Sequence, residues 1–181
     1  TGREALEELE EQTRAWVEGR AASSPRVYPR PIAFNLLPQI ASFGEDGYTG
    51  EEQKMIQETR KILDLPALPV VATCVRVPVF FAHSEVVYLE TERDLPPEEA
   101  REILRGAPGL RLVDDPARGE YPTPLDAEHQ DLVLVGRVRR DPSVAHGLAL
   151  WVVADNLRKG AATNAVQIAR TLVETGRLGW R

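Results

Sequence analysis

The sequence predicts an α+β fold built on a mixed, largely antiparallel sheet with helices on one face. Three observations carry that expectation. Segments with apolar residues at helical spacing alternate with short β-branched runs along the chain. Some of those runs follow one another with no helix between them, which excludes a purely parallel α/β layout. One run, Leu148 to Ala154, is apolar throughout and therefore suits a central strand.

Taken in order, Ala5, Leu6, Leu9, Trp16 and Val17 predict a helix from Glu4 to Val17, which Gly19 can terminate. Ala22 to Pro31 reads as a connection. Ile32 to Leu37 is apolar and bounded by prolines, as a buried strand would be, and Gly44 to Gly50 is a turn. Thr49-Gly50-Glu51-Glu52 has the form of a capping box and predicts a helix from there to about Leu63. Pro66 and Pro69 close that region, and the β-branched segment Val70 to Val77 follows as a strand.

Glu85 to Thr91 is the next strand. Pro96 and Pro97 suit the first turn of a helix through Leu104, with Gly106 and Gly109 after it. Leu110 to Val113 predicts a short strand, Pro116 to Gln130 an irregular segment, and Asp131 to Arg139 a strand preceding the apolar one. The last element is a helix from about Asn156 to Gly176, with a face of Ala161, Ala162, Ala165, Ala169 and Leu172 small enough for close backbone approach. No internal repeat is present.

A chain of 181 residues is the size of one domain, or of one domain with an appendage. Its only cysteine, Cys74, excludes an internal disulfide framework and a multi-cysteine metal cluster, and fits a reducing compartment such as the cytoplasm. The longest apolar runs fall far short of the roughly 20 residues of a membrane helix. Thr1 opens an acidic, helix-like stretch unlike a secretory leader. A net charge of −6 with both signs interspersed leaves no basic stripe for a phosphate backbone, so nucleic acid is not an expected partner.

Polar residues stand out at four places. Strand alternation puts Arg76 on the face of Val70, Ala72 and Cys74, where a guanidinium needs an anion. It either snorkels or pairs with a core carboxylate, or it clamps a ligand carboxylate in bidentate fashion. His83 follows at the entry to the next strand, as a structural histidine or as a general acid/base beside the clamp. Glu51, Lys54 and Glu58 share one helix face, which is a solvated salt-bridge row or a polarised binding pair. Asp155-Asn156 opens the last helix as an N-cap, or presents an amide to a ligand. Cys74, among β-branched residues, reads as a buried hydrophobe rather than a nucleophile. No glycine-rich phosphate loop occurs anywhere in the chain.

Together, AFNLLPQI, EEQKMIQETRKIL, TCVRVPVFFAHSE and WVVADNLRKGAATNAVQIA resemble the C-terminal catalytic and dimerisation domain of bacterial aspartate-semialdehyde dehydrogenases. The resemblance implies a fold similar to the C-terminal domain of glyceraldehyde-3-phosphate dehydrogenase. It implies a boundary between a catalytic and dimerisation region, residues 1–155, and a helix at 156–181 that packs on an NADP-binding domain. It also implies chemistry in which a cysteine thiolate attacks the aldehyde, hydride passes to NADP, and phosphate releases L-4-aspartyl phosphate. In that scheme Arg76 binds the substrate carboxylate, His83 is the general acid/base, Glu51 meets the substrate amine, Lys54 the phosphate, and Asn156 lies near the nicotinamide amide. No metal is called for. The nucleophile and the dinucleotide loop belong to a preceding domain, so this chain alone is expected to be inactive. A homodimer is implied, with a tetramer as the larger assembly. An N-acetyl-glutamyl-phosphate reductase domain is the alternative in the same class, and a non-catalytic dimerisation module the alternative outside it.

Overall fold

The structure, a computed structural model, describes residues 2–177. The chain divides into two compact units that part between Phe80 and Phe81.

In the first unit, α1 (Arg3–Val17) buries Ala5, Leu9 and Ala15, and Leu9 packs with Ile32 and Leu37 in a small core flanked by Tyr28 and Ala33. The same helix carries two buried polar residues one turn apart, Glu8 and Gln12. The Glu8 carboxylate accepts the backbone N–H groups of Arg26 and Val27, both at 2.7 Å. Gln12 Oε1 accepts those of Ile32 and Ala33 at 2.9 and 3.1 Å, while its amide nitrogen donates to Glu8 at 3.2 Å. The connection from 26 to 33 is thus held by side-chain acceptors, which satisfy amides that would otherwise be costly to bury.

The second helix, α2 (Gly50–Ile62), begins where the capping box predicts. The Glu52 carboxylate reaches back to the Thr49 N–H at 2.7 Å. Its other oxygen accepts the Cys74 N–H at 2.8 Å and ties the 70–77 segment to the helix. Cys74 is buried, with its sulfur 3.3 Å from that of Met55, in keeping with its reading as a small hydrophobe.

Two expected strands are not formed. Ile32 to Leu37 and Val70 to Val77 meet only in one isolated antiparallel bridge, Leu37 to Arg76. The reason is partly local and partly distant. Phe34 sits at φ +56°, the Asn35 N–H donates to Ile32 O at 3.1 Å, and the Asn35 amide donates to Pro31 O, so the first segment turns instead of extending. The donors of Ile32, Ala33 and Cys74 are already taken by Gln12 and Glu52, which leaves too few for a ladder.

The second unit holds a four-stranded sheet of β1 (His83–Glu90), β2 (Leu110–Leu112), β3 (Val133–Asp141) and β4 (Gly147–Ala154) in the order β1-β4-β3-β2. The β1–β4 and β4–β3 pairs are antiparallel and β3–β2 is parallel. The apolar strand β4 is therefore internal, as its composition requires. On one face, Val135, Val138 and Leu148 pack with Ala100 of helix α3 (Pro97–Gly106). On the other, Leu134 and Val153 pack with Ala82 and with Ala127 of the four-residue helix α4 (Pro124–Ala127), which falls within the segment expected to be irregular. Toward β1 this second face is open, with Val86 and Tyr88 exposed beside Trp151.

A bulge interrupts β3 between Gly136 and Arg139, with Arg137 at φ +55°. The fully buried Asp114 carboxylate accepts the Arg137 and Val138 N–H groups at 2.7 and 3.2 Å, and Arg101 Nε donates to it at 2.8 Å. Arg101 also donates to Val138 O at 2.6 Å, so one ion pair satisfies the backbone that the bulge removes from the ladder. Gly136 is required next to it, because a Cβ there would lie 2.2 Å from Val113 O and 2.6 Å from Pro122 Cδ.

The last helix departs from the expected single span. It opens as a π-helical turn, Arg158–Ala162, and continues as α5 (Thr163–Glu174). None of its residues is buried, and Ala161, Ala162, Ala165 and Ala169 are all exposed.

Candidate active site

The five candidate residues fall into two sets, one in each unit. In the first unit Glu51 and Lys54 lie on α2, their charged atoms 3.5 Å apart. This is a partly solvated pair, of the kind that contributes little to stability by itself. Lys54 remains half exposed and keeps its ammonium available to an anion. Arg76 exchanges two backbone hydrogen bonds with Leu37, at 2.8 and 3.0 Å, and its guanidinium lies 6.0 Å from the Tyr28 ring centroid. That is the outer limit of a cation–π contact.

Glu52 joins these residues, and the sequence reading saw it only as the returning half of the capping box. Its carboxylate fixes α2 next to Cys74, two residues before Arg76, so the Glu51/Lys54 face and the Arg76 segment share one buried anchor. The backbone N–H groups of Thr49 and Cys74 hold the Glu52 carboxyl below the usual glutamate range, with burial opposing them. The carboxylate thus stays ionised in its anchoring role.

In the second unit His83 is the first residue of β1 and is exposed. The register sets it directly across from Ala154, the last residue of β4. Asn156, half-buried, follows two residues later. The strand pairing therefore delivers the acid/base candidate and the cofactor candidate to the same end of the sheet. Ala82, immediately before His83, is buried at φ +66°, a left-handed conformation that an alanine adopts only when its surroundings impose it.

Between them sits Asp155, also not singled out alone in the sequence. It is 5 % exposed. One carboxylate oxygen accepts the Leu157 and Arg158 N–H groups at 2.9 and 3.0 Å, and the other accepts the His129 N–H at 2.9 Å. Burial by itself pushes this carboxyl up, but the amides of Arg158, His129 and Leu157 together outweigh it and hold the group below the usual aspartate range. Asp155, not Asn156, is thus the cap of the last helical segment, which leaves the Asn156 side chain unused for capping. A second carboxylate, Asp131, accepts Arg158 Nε at 2.7 Å and the Thr163 hydroxyl at 3.0 Å, and fixes the following turn.

Among the described residues, no helix is long and apolar enough to cross a membrane.

Residues 1–159 match the family model described as semialdehyde dehydrogenase, dimerisation domain. The chain is 55 % identical over 175 residues to the aspartate-semialdehyde dehydrogenase of Aquifex aeolicus, covering 97 % of this chain and 52 % of that one. It is 48 % identical over 179 residues to the Bacillus subtilis enzyme of the same name, covering 94 % and 51 %. Aspartate semialdehyde dehydrogenase II from Vibrio cholerae, solved in complex with ASA, superposes with a TM-score of 0.89 at 46 % identity, over 96 % of this chain and 51 % of that one. The Candida albicans enzyme solved with NADP is more distant, with a TM-score of 0.64 at 27 % identity over 85 % and 48 %. The chain spans about half the length of the curated relatives it matches. On its sequence and its α+β architecture alike, the chain belongs to the semialdehyde dehydrogenase dimerisation-domain family.

Proposed function

We propose that this chain is the substrate-recognition, proton-transfer and dimerisation half of an NADP-dependent aspartate-semialdehyde dehydrogenase of the cytoplasm, working in aspartate-family amino-acid biosynthesis. The observation that carries the reading is the β1–β4 register, which sets His83 opposite Ala154 and so beside the Asn156 turn. Proton transfer to and from the aldehyde oxygen, coupled to hydride transfer, needs an acid/base group and a cofactor contact at one place.

In this reading Arg76 clamps the α-carboxylate of L-aspartate 4-semialdehyde with two parallel N–H donors. Glu51 accepts from its ammonium, Lys54 offers its ammonium to phosphate, and His83 holds and returns the proton of the oxygen at the reacting carbon. NADP, held mainly by a segment outside this chain, would accept the hydride. The Asn156 amide, left over by the Asp155 cap, fits a carboxamide as donor and acceptor. The alanine face of the last helical segment, Ala161, Ala162, Ala165 and Ala169, packs on that cofactor-binding segment; the end of the expected 156–181 span lies outside the described residues. Homodimers form through the open sheet face of Val86, Tyr88 and Trp151, with pairing of dimers into a tetramer as the next level. Neither nucleic acid nor membrane is a partner in this scheme.

The test is complementation. The chain is combined with a nucleotide-binding segment that carries the nucleophilic cysteine, and phosphate-dependent NADPH formation from the semialdehyde is measured. The chain alone should give none. His83→Asn should lower kcat by about 10²–10⁴-fold, and Arg76→Lys should raise KM for the semialdehyde. Turnover of the N-acetylglutamate semialdehyde in preference to the free amino acid would overturn the substrate assignment. Absence of any complemented activity would leave a dimerisation module.

A further inference from the structure

We infer that Asp155 is a positioning residue that locks the His83 end of the sheet to the Asn156 turn, an inference that rests on the dehydrogenase reading above. Three sets of bonds meet at this residue, two of them at its carboxylate. Through Leu157 and Arg158 it fixes the backbone immediately after Asn156. Its own carbonyl accepts the Lys159 and Gly160 N–H groups at 2.9 and 3.2 Å and continues that turn. Through the His129 N–H it grips the loop that follows α4.

That loop in turn touches the segment that leads into His83. His129 is held at φ +59°, and its ring meets Phe81 edge-on with centroids 6.1 Å apart. Phe81 stands two residues before His83, across the left-handed Ala82. His83 itself is paired to Ala154, the neighbour of Asp155. A helix cap needs only the two amides of Leu157 and Arg158. The third bond, to a loop 26 residues away, has no part in capping and gives the carboxylate a second role. Because all three donors are backbone N–H groups, an acceptor-only side chain is demanded; an asparagine would aim its NH2 at one of them.

The inference separates from a plain structural role through two variants. Asp155→Ser keeps a cap acceptor for the helix amides but is too short to reach His129 as well. Asp155→Asn keeps size and shape but must turn a donor toward either the loop or the helix. Amide hydrogen exchange is followed on the chain itself, and steady-state kinetics on the chain complemented as above.

Asp155→Ser should expose the His129 amide while those of Leu157 and Arg158 stay protected. It should raise the cofactor KM about tenfold, the scale of one lost charged hydrogen bond, with the semialdehyde KM within about twofold of the parent. A cofactor KM equal to the parent's in both variants, or a kcat loss with both KM values unchanged, would overturn the inference. So would undisturbed protection of His129 in Asp155→Ser. If the unsubstituted complemented chain turns over no semialdehyde, the dehydrogenase reading fails and takes the functional part of the inference with it. The exchange experiment still decides whether the carboxylate ties the loop to the turn.

Discussion

The two units solve the same problem, satisfying backbone donors away from water, by opposite means. In residues 81–177 a sheet satisfies most of them, with apolar side chains packed on both faces of β3 and β4, and carboxylates step in only where the ladder breaks, Asp114 at the bulge and Asp155 after β4. In residues 2–80 no strand longer than one bridge forms, and buried side chains on helices do the work: Glu8 and Gln12 for the 26–33 connection, Glu52 for the 70–77 segment. Stability in the sheet unit is thus spread over many similar contacts. In the other unit it is concentrated in a few acceptors whose loss nothing nearby can replace.

Five substitutions and one titration sharpen or break that contrast, beginning with the greatest effect. Leu134→Ala, in the fully buried core of β3, is expected to cost about 3–5 kcal/mol in urea denaturation. Exchange should rise in β3 and β4 and stay unchanged at Arg26 and Val27. A rise at all of these sites together would mean the units share one core. Gly136→Ala should cost about 3 kcal/mol, because its Cβ meets the Val113 carbonyl rather than a flexible side chain. Circular dichroism melting would register it.

Glu8→Ala is the matching test in the first unit, with an expected loss of about 2–3 kcal/mol and exchange confined to Arg26 and Val27. Little effect would show that water replaces the carboxylate and that the contrast between the units is overdrawn. Glu52 supplies the pH arm. Its folded-state pKa is lowered, so its contribution is fully present above the ordinary glutamate range and is lost as pH falls through the lower folded value. Cys74 amide exchange should therefore quicken in acid, and Glu52→Gln should remove that dependence. Val166→Asp is expected to change stability of the chain by less than about 0.5 kcal/mol, because Val166 is 68 % exposed on a helix that buries nothing.

The same contrast explains what was legible in the sequence. β-branched and apolar runs marked β1, β3 and β4 to within two or three residues, since strand pairing there is what the pattern encodes. Ile32 to Leu37 and Val70 to Val77 carry an equally good strand pattern and fail, because their donors are captured by residues on distant parts of the chain. Local propensity holds no trace of that competition. The candidate residues followed the same rule. Arg76 and His83 were visible as polar residues among apolar ones. Glu52 and Asp155 were legible only as helix caps; their second bonds, to the Cys74 and His129 N–H groups, were hidden, since nothing local marks a distant amide as the partner.

The bulge in β3 has a consequence for reading kin of this chain. By inserting one residue it swaps the parity of everything after Gly136: Val138 joins the α3-side core, and Arg139 stands opposite Ala149 on the other side of the sheet. A relative lacking the extra residue would run straight from Gly136 into Val138, with regular alternation and with Val138 and Arg139 on the faces they hold here. A single-column gap in an alignment at this spot therefore records the loss of the bulge, and with it of any need for a buried Asp114–Arg101 pair, while the residues on either side of the gap keep their places.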